Sequence, residues 1–149
     1  MRRQMMEHAA GHDNQTAQAL AETLARLDHE LAAEMARVRE REVERDTALS
    51  QLKSARAAAS DLSWELEDLE QRLSDLKAQR EGPRDPLLER ELSSLASRRA
   101  ALEERVLAQM LLVDELATRA KAAQRALAAE QQASAALLAE RERITALLF

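Results

Sequence analysis

Apolar residues recur in alternating steps of four and three from Leu20 to Leu76. This spacing is typical of a heptad seam, the apolar stripe along which one long helix packs against another. Of the seventeen seam positions, fourteen are apolar, whereas the 46% hydrophobic composition predicts about eight. The positions are Leu20, Leu24, Leu27, Leu31, Glu34, Val38, Arg41, Arg45, Ala48, Leu52, Ala55, Ala59, Leu62, Leu66, Leu69, Leu73 and Leu76.

A second seam with the same period runs from Leu88 to Leu148, and thirteen of its eighteen positions are apolar. Neither seam contains glycine or proline, so each predicts one uninterrupted helix. The positions are Leu88, Leu92, Leu95, Arg99, Leu102, Val106, Gln109, Val113, Leu116, Ala120, Ala123, Leu127, Glu130, Ser134, Leu137, Arg141, Ile144 and Leu148.

Helix-breaking residues concentrate between the two seams, in the stretch GPRDP. Gly82 can adopt the left-handed conformation that ends a helix, and Pro83 cannot continue one. Asp85 can cap the following helix, with Pro86 at its first position, where the missing N–H costs nothing. So short a connection folds two long helices back on each other in antiparallel orientation, and it argues against one continuous helix in a parallel dimer.

The predicted fold is therefore all-α, a long antiparallel two-helix coiled-coil hairpin. Its parts are a helix over residues 15–81, a turn over 82–86 and a helix over 86–149. Positions whose numbers add to about 168 should lie side by side. Residues 1–14 fall outside both seams and are expected to form a flexible N-terminal tail. The same pattern is compatible with two hairpins joining into a four-helix bundle.

Composition excludes several classes of function. The 149 residues include no cysteine, so disulfides, thiolate zinc sites and cysteine nucleophiles are ruled out. The net charge of −5 gives no general attraction to nucleic acid or to an anionic membrane. No stretch approaches the roughly 20 apolar residues of a membrane-spanning helix. We therefore expect a cytoplasmic protein without membrane insertion.

Motifs for catalysis are also missing. With only two glycines, the chain has no phosphate-binding loop of the Walker or Rossmann type. At this density, carboxylates usually lie on the solvated outer faces of helices and have no part in acid–base catalysis. We therefore expect no catalytic residue, no cofactor and no enzyme activity. The best metal candidate is the cluster Glu7, His8, His12 and Asp13, because two histidines four residues apart can share a metal ion. Gly11 weakens a helix there, and we expect no metal.

Arginines recur every four residues at Arg37, Arg41 and Arg45. Glutamates are interleaved with them, which indicates ion pairing within the helix rather than a basic surface. The aromatic platforms of single-strand binders are absent. A nucleic-acid clamp remains the alternative function. Arg41 and Arg45 also occupy seam positions, where their aliphatic stems can cover small neighbours while the guanidinium groups reach water. This zone is predicted to be the weakest part of the hairpin.

Large apolar residues outside the seams indicate a docking surface. Trp64 falls on the side of its helix that faces away from the partner helix, where an indole is costly to leave in water. Leu107, Leu111 and Leu112 also lie outside the strict seam. We predict that these four residues bind a partner, either a second copy of the chain or another helical protein. The predicted function is a non-enzymatic scaffold or adaptor that forms homo-oligomers or binds helical proteins.

The segment DPLLERELSSLASRRAALEERVLAQMLLVDEL, residues 85–116, resembles bacterial coiled-coil proteins that end in a C4 zinc ribbon. In that family a turn is followed by a repeated pattern of acidic residues and leucines. Residues Glu89–Leu95 and Leu102–Met110 resemble this pattern here. The resemblance implies an antiparallel hairpin that acts as adaptor or chaperone in secretion and flagellar systems, with nucleic-acid binding in some members. Because the chain contains no cysteine, the resemblance does not extend to the ribbon.

Overall fold

The computed structural model describes the backbone of residues 2–79 and 85–149, and the side chains of residues 14–79 and 85–149. Two helices make up this part of the chain: α1 spans Arg2–Ala78 and α2 spans Pro86–Leu148. No strand occurs within these described residues. The helices pack against each other as an antiparallel hairpin, which confirms the all-α prediction.

The helix bounds differ from the prediction at both ends of α1. This helix includes residues 2–14, which we predicted as a tail, and it ends at Ala78 rather than at residue 81. Gly11 thus lies inside a helix at the cost of about 1 kcal/mol relative to alanine. The predicted turn residues Gly82 and Pro83 lie outside the described residues.

The start of α2 agrees with the sequence. The Asp85 carboxylate accepts a hydrogen bond from the backbone N–H of Leu87 at 3.0 Å. Its backbone carbonyl accepts from the N–H of Glu89 at 3.1 Å. Asp85 is therefore the N-cap, and Pro86 occupies the first helical position, where it has no hydrogen bond to lose.

Both predicted seams are confirmed at every position. All seventeen positions from Leu20 to Leu76 are buried or partly buried, as are all eighteen from Leu88 to Leu148. In α1, only Thr23 and Glu42 are partly buried outside the seam, among residues 14–78. The period of 3.5 residues thus decides which side chains leave water.

The chain divides into two compact units, each built from a piece of both helices. Unit 1 comprises Met1–Arg45 and Ala123–Phe149, and unit 2 comprises Asp46–Ala122. Within unit 1, Arg141 pairs with Asp28, and Arg37 lies 3.9 Å from Glu130. These contacts join the pieces in the predicted antiparallel register.

Unit 2 contains two clusters of buried apolar residues. Leucines alone form the first cluster, whereas alanine and leucine alternate in the second. Arg99 lies 3.8 Å from Glu70, and the Gln109 amide donates to the Ala55 carbonyl at 3.0 Å. The buried members are Leu69, Leu73, Leu92, Leu95 and Leu102 in the first cluster, and Leu52, Ala55, Leu116 and Ala120 in the second.

Candidate functional site

Trp64 is the largest of the exposed apolar side chains described in unit 2. It lies two residues after the seam residue Leu62 and two before Leu66, which places it on the side of α1 opposite the seam. Its exposed fraction is 69%. The structure therefore places the only tryptophan of the chain in solvent, as the sequence predicts.

Leu107 and Leu111 lie four residues apart on the outward side of α2, with exposed fractions of 62% and 70%. Met110 is also exposed and completes one turn of apolar surface. We call Leu107, Met110 and Leu111 the leucine patch. Sequence reasoning missed Met110, although its spacing of three residues from Leu107 is the signal that would have found it.

Trp64 and the leucine patch do not form one surface. Trp64 lies on the side of α1 that faces away from α2, and Leu111 lies on the side of α2 that faces away from α1. Two packed helices therefore separate them. The four predicted partner-binding residues belong to at least two distinct sites, a division that follows from the heptad positions once both helices are known to pack seam to seam.

Leu112 lies in a third place, on a flank of the interface between the helices. It lines an open groove of about 490 Å³ whose floor includes Ala55, Gln109 and Leu116. Small residues on α1 make this groove possible, because the alanine leaves space beside the larger side chains of α2. The groove is shallow and contains no cluster of catalytic groups.

A carboxyl pair lies in the seam of unit 1, and sequence reasoning did not anticipate it. Glu34 is only 4% exposed although it is acidic. Its Oε2 accepts from Arg37, with Nε at 2.9 Å and Nη2 at 2.5 Å. Its Oε1 is buried and has no hydrogen-bond partner among the donors of the described residues. The Glu130 carboxyl of α2 is the neighbouring acidic group across the seam, and Arg37 contacts both carboxyl groups, at 2.5 Å from Glu34 and 3.9 Å from Glu130.

The two carboxyl groups shift each other in opposite directions. The hydrogen bond with Glu130, aided by Arg37, lowers the pKa of Glu34 below its usual value. The hydrogen bond with Glu34, together with burial, raises the pKa of Glu130, while Arg37 and Arg41 oppose that rise. These two directions agree with the chemistry of a carboxyl pair, because a protonated Glu130 can donate to an ionised Glu34.

The arginines of this zone contact carboxylates. Arg41 pairs with Glu44 at 3.0 Å and lies 3.8 Å from Glu130. Arg37 pairs with Glu34, as described above. The Arg41 side chain is 41% exposed, so its guanidinium group reaches water, and its contact with Glu130 across the seam is the part that the heptad pattern does not predict. The prediction of pairing within the helix holds for Arg41 with Glu44 and for Arg37 with Glu34.

The described residues contain neither a metal-binding group of side chains nor a helix able to span a membrane. Among the residues whose side chains are described, no three histidine or acidic side chains group closely enough to hold a metal ion. The side chains of the predicted cluster Glu7, His8, His12 and Asp13 lie outside that part of the chain. Neither described helix contains a segment with the length and apolarity needed to cross a bilayer.

Comparisons of the chain with protein-family models, curated protein sequences and solved structures found no match. The case for a function therefore depends on the two outward surfaces and on the seam.

Proposed function

We propose that the hairpin is a non-enzymatic scaffold whose outward apolar surfaces bind other helices. The observation that carries this proposal is the exposure of Trp64 and Leu111, each about 70% accessible among the described residues and on a side of its helix that faces away from the other helix. Exposed apolar groups of this size gain stability when a partner covers them. Helix-in-groove docking or completion of a bundle is the expected mode of binding.

Self-association through the leucine patch is the simplest form of this function. The patch is continuous over one helical turn, and two copies can bring the same surface together across a twofold axis. Two hairpins joined in this way form a four-helix arrangement. Leu107 and Leu111 then act as the central contacts, and the surrounding polar residues form the rim.

The resemblance to bacterial zinc-ribbon hairpin proteins supports the same role. On that basis we extend the proposal to a cytoplasmic adaptor that binds helical proteins in bacteria. The nucleic-acid clamp receives less support, because Arg37 and Arg41 already contact carboxylates within their own hairpin. A phosphate would have to compete with these pairs.

Light scattering over a range of protein concentrations tests the proposal. We expect the wild-type mass to exceed the 16.7 kDa of one chain and to fall toward it in the double variant Leu107→Glu/Leu111→Glu. Thr118→Glu is the matched control, because Thr118 is exposed one heptad after Leu111. Trp64→Glu tests the other surface separately. A wild-type mass of one chain at every concentration would rule out self-assembly.

A further inference from the structure

The negative charge of the chain is concentrated in one segment. Residues 61–75 contain six acidic residues and one arginine, a net charge of −5. The whole chain also has a net charge of −5, so the residues outside this segment together have no net charge. Trp64, the only tryptophan, lies within this segment. One short stretch of α1 therefore combines the excess charge with the exposed indole.

Acidic side chains surround Trp64 on its own face of the helix. Asp61, Glu67 and Asp68 stand three residues before it, three after it and four after it, which makes them its neighbours on the helix surface. All three are exposed. We call these four residues the Trp64 face.

The carboxylates of this face are largely unpaired. Asp68 lies 3.7 Å from Arg72. Asp61 and Glu67 have no ion-pair partner among the described residues. On one flank, Arg98 and Arg105 of α2 line a groove of about 410 Å³ together with Asp68. On the other flank, Arg99 of α2 lies 3.8 Å from Glu70, one helical turn after Glu67.

We propose that the Trp64 face is a docking site for a lysine- or arginine-rich helical segment of a different protein. A cation placed over the indole gains a cation–π contact, and the methylene groups of its side chain cover the ring. Neighbouring cations of the segment pair with Asp61 and Glu67. This proposal rests on the proposed scaffold function, because it names the partner of one of the two outward surfaces.

A second copy of the chain fits this face less well. A twofold contact would oppose two faces of the same negative charge, which is unfavourable. The acid-free stretch with the most cations, residues 116–129, supplies only Arg119, Lys121 and Arg125. Of these, Arg119 already pairs with Glu115 at 2.6 Å. The charge complementarity therefore favours a foreign basic segment, while the leucine patch remains the surface for self-association.

Trp64 itself is the reporter for the test, since the chain has no other tryptophan and no tyrosine. The full chain is titrated with a synthetic helix-forming peptide of lysine, leucine and alanine, and with the same peptide carrying glutamate in place of lysine. We expect saturable change of the Trp64 emission with the lysine peptide alone, and weaker binding at high salt. An absent response, or an equal response to the glutamate peptide, would overturn the proposal.

Two double variants show whether the location of the charge matters. Asp61→Asn/Glu67→Gln should weaken binding of the lysine peptide about 3- to 10-fold. Glu104→Gln/Asp114→Asn removes the same charge beside the leucine patch and should change affinity by less than about twofold. Equal losses in both variants would indicate general charge attraction and refute the docking site. Calorimetry with Trp64→Ala, which lacks the reporter, should show about tenfold weaker binding.

The remaining outcomes separate this proposal from the scaffold proposal. A Trp64 emission that changes with protein concentration, without peptide, would show that a second copy covers the face, and it would overturn the assignment to a foreign segment. A chain that stays monomeric in light scattering but binds the lysine peptide would refute self-association and leave the Trp64 face in place. An oligomer that does not bind the lysine peptide would refute the Trp64 face as a docking site and leave self-association in place.

Discussion

The seams of the two units use the same heptad period but different chemistry. In unit 2 every buried residue is a leucine or an alanine. In unit 1 the buried set includes Glu34, and the partly buried seam positions include Arg41, Glu130, Ser134 and Arg141. The buried apolar residues of unit 1 are Leu27, Leu127 and Ile144. One period thus produces a mainly apolar interface in unit 2, where Arg99 and Gln109 are the polar seam residues, and a more strongly ionic interface in unit 1.

This difference separates the role of pattern from the role of composition. The period decides which positions face the partner helix, because each residue advances by the same angle around the helix axis. The side chains at those positions decide the stability. Burying a leucine contributes about 1.5–3 kcal/mol, whereas a buried carboxylate must recover its lost hydration through hydrogen bonds. We expect unit 2 to supply most of the stability of the hairpin.

The largest expected effect is the loss of a leucine from the apolar seam. Leu73 is 4% exposed within the first cluster, so Leu73→Ala should lower the free energy of unfolding by about 2–5 kcal/mol. The same substitution at Leu31 of unit 1, which is only partly buried, should lower the free energy of unfolding by less. Urea denaturation followed by circular dichroism measures both. Leu87→Ala, at an exposed site, should stay within about 0.5 kcal/mol of the wild type, and equal losses at Leu73 and Leu31 would contradict the comparison.

Replacing the carboxyl pair should make the seam of unit 1 resemble that of unit 2. We expect Glu34→Leu/Glu130→Leu to raise the melting temperature at neutral pH, because apolar side chains avoid the cost of burying charge. Arg37 is 54% exposed at its side chain and can return to water. Thermal unfolding followed by circular dichroism is the measurement. A lower melting temperature would show that the ionic network stabilises unit 1 beyond its desolvation cost.

The carboxyl pair also predicts a dependence of stability on pH. Because the pKa of Glu130 is raised on folding, its contribution is present at low pH and is lost as the pH rises through the folded value. The pKa of Glu34 is lowered, so its contribution is lost as the pH falls through the folded value. Stability contributed by the pair should therefore be greatest between these two values, a window around the ordinary glutamate pKa of about 4.3.

Glu130→Gln isolates one side of this window. Glutamine keeps an N–H that can donate to Glu34 at every pH, so the loss of stability above the window should disappear and the melting temperature at neutral pH should increase. The matched control is Glu142→Gln, an exposed glutamate for which no such change is expected. If the melting temperature of the variant varied with pH as that of the wild type does, Glu130 would not be the group that gains a proton beside Glu34.

The carboxyl pair also shows where sequence reasoning stopped. The heptad frame places both Glu34 and Glu130 in the seams, and it correctly predicts burial or partial burial at every seam position and the cap at Asp85. The hairpin register, however, places Ser134 opposite Glu34. The pair forms with Glu130, one helical turn away, because glutamate side chains are long enough to bridge such an offset. The heptad period does not determine such an axial offset between the helices or the rotamers of the two glutamate side chains.

The two outward surfaces illustrate the same limit. The frame identifies Trp64 and Leu111 as outward, and the structure confirms their exposure. Whether they form one surface depends on how the outward sides of the two helices are oriented. Because the helices pack seam to seam, these outward sides lie on opposite sides of the hairpin. The frame does not single out Met110, because it separates seam positions from all others and does not separate exposed apolar residues from exposed polar ones.

The smallest expected effect concerns the exposed ion pairs that cross between the helices within each unit. Arg141 pairs with Asp28 in unit 1, and Arg99 lies 3.8 Å from Glu70 in unit 2. Exposed pairs contribute about 0–1 kcal/mol, since water and salt screen them and the side chains lose freedom. Asp28→Asn and Glu70→Gln should therefore lower stability only slightly, and less in high salt. If Asp28→Asn cost as much as Leu73→Ala, unit 1 would depend on its charges rather than on its few buried apolar residues.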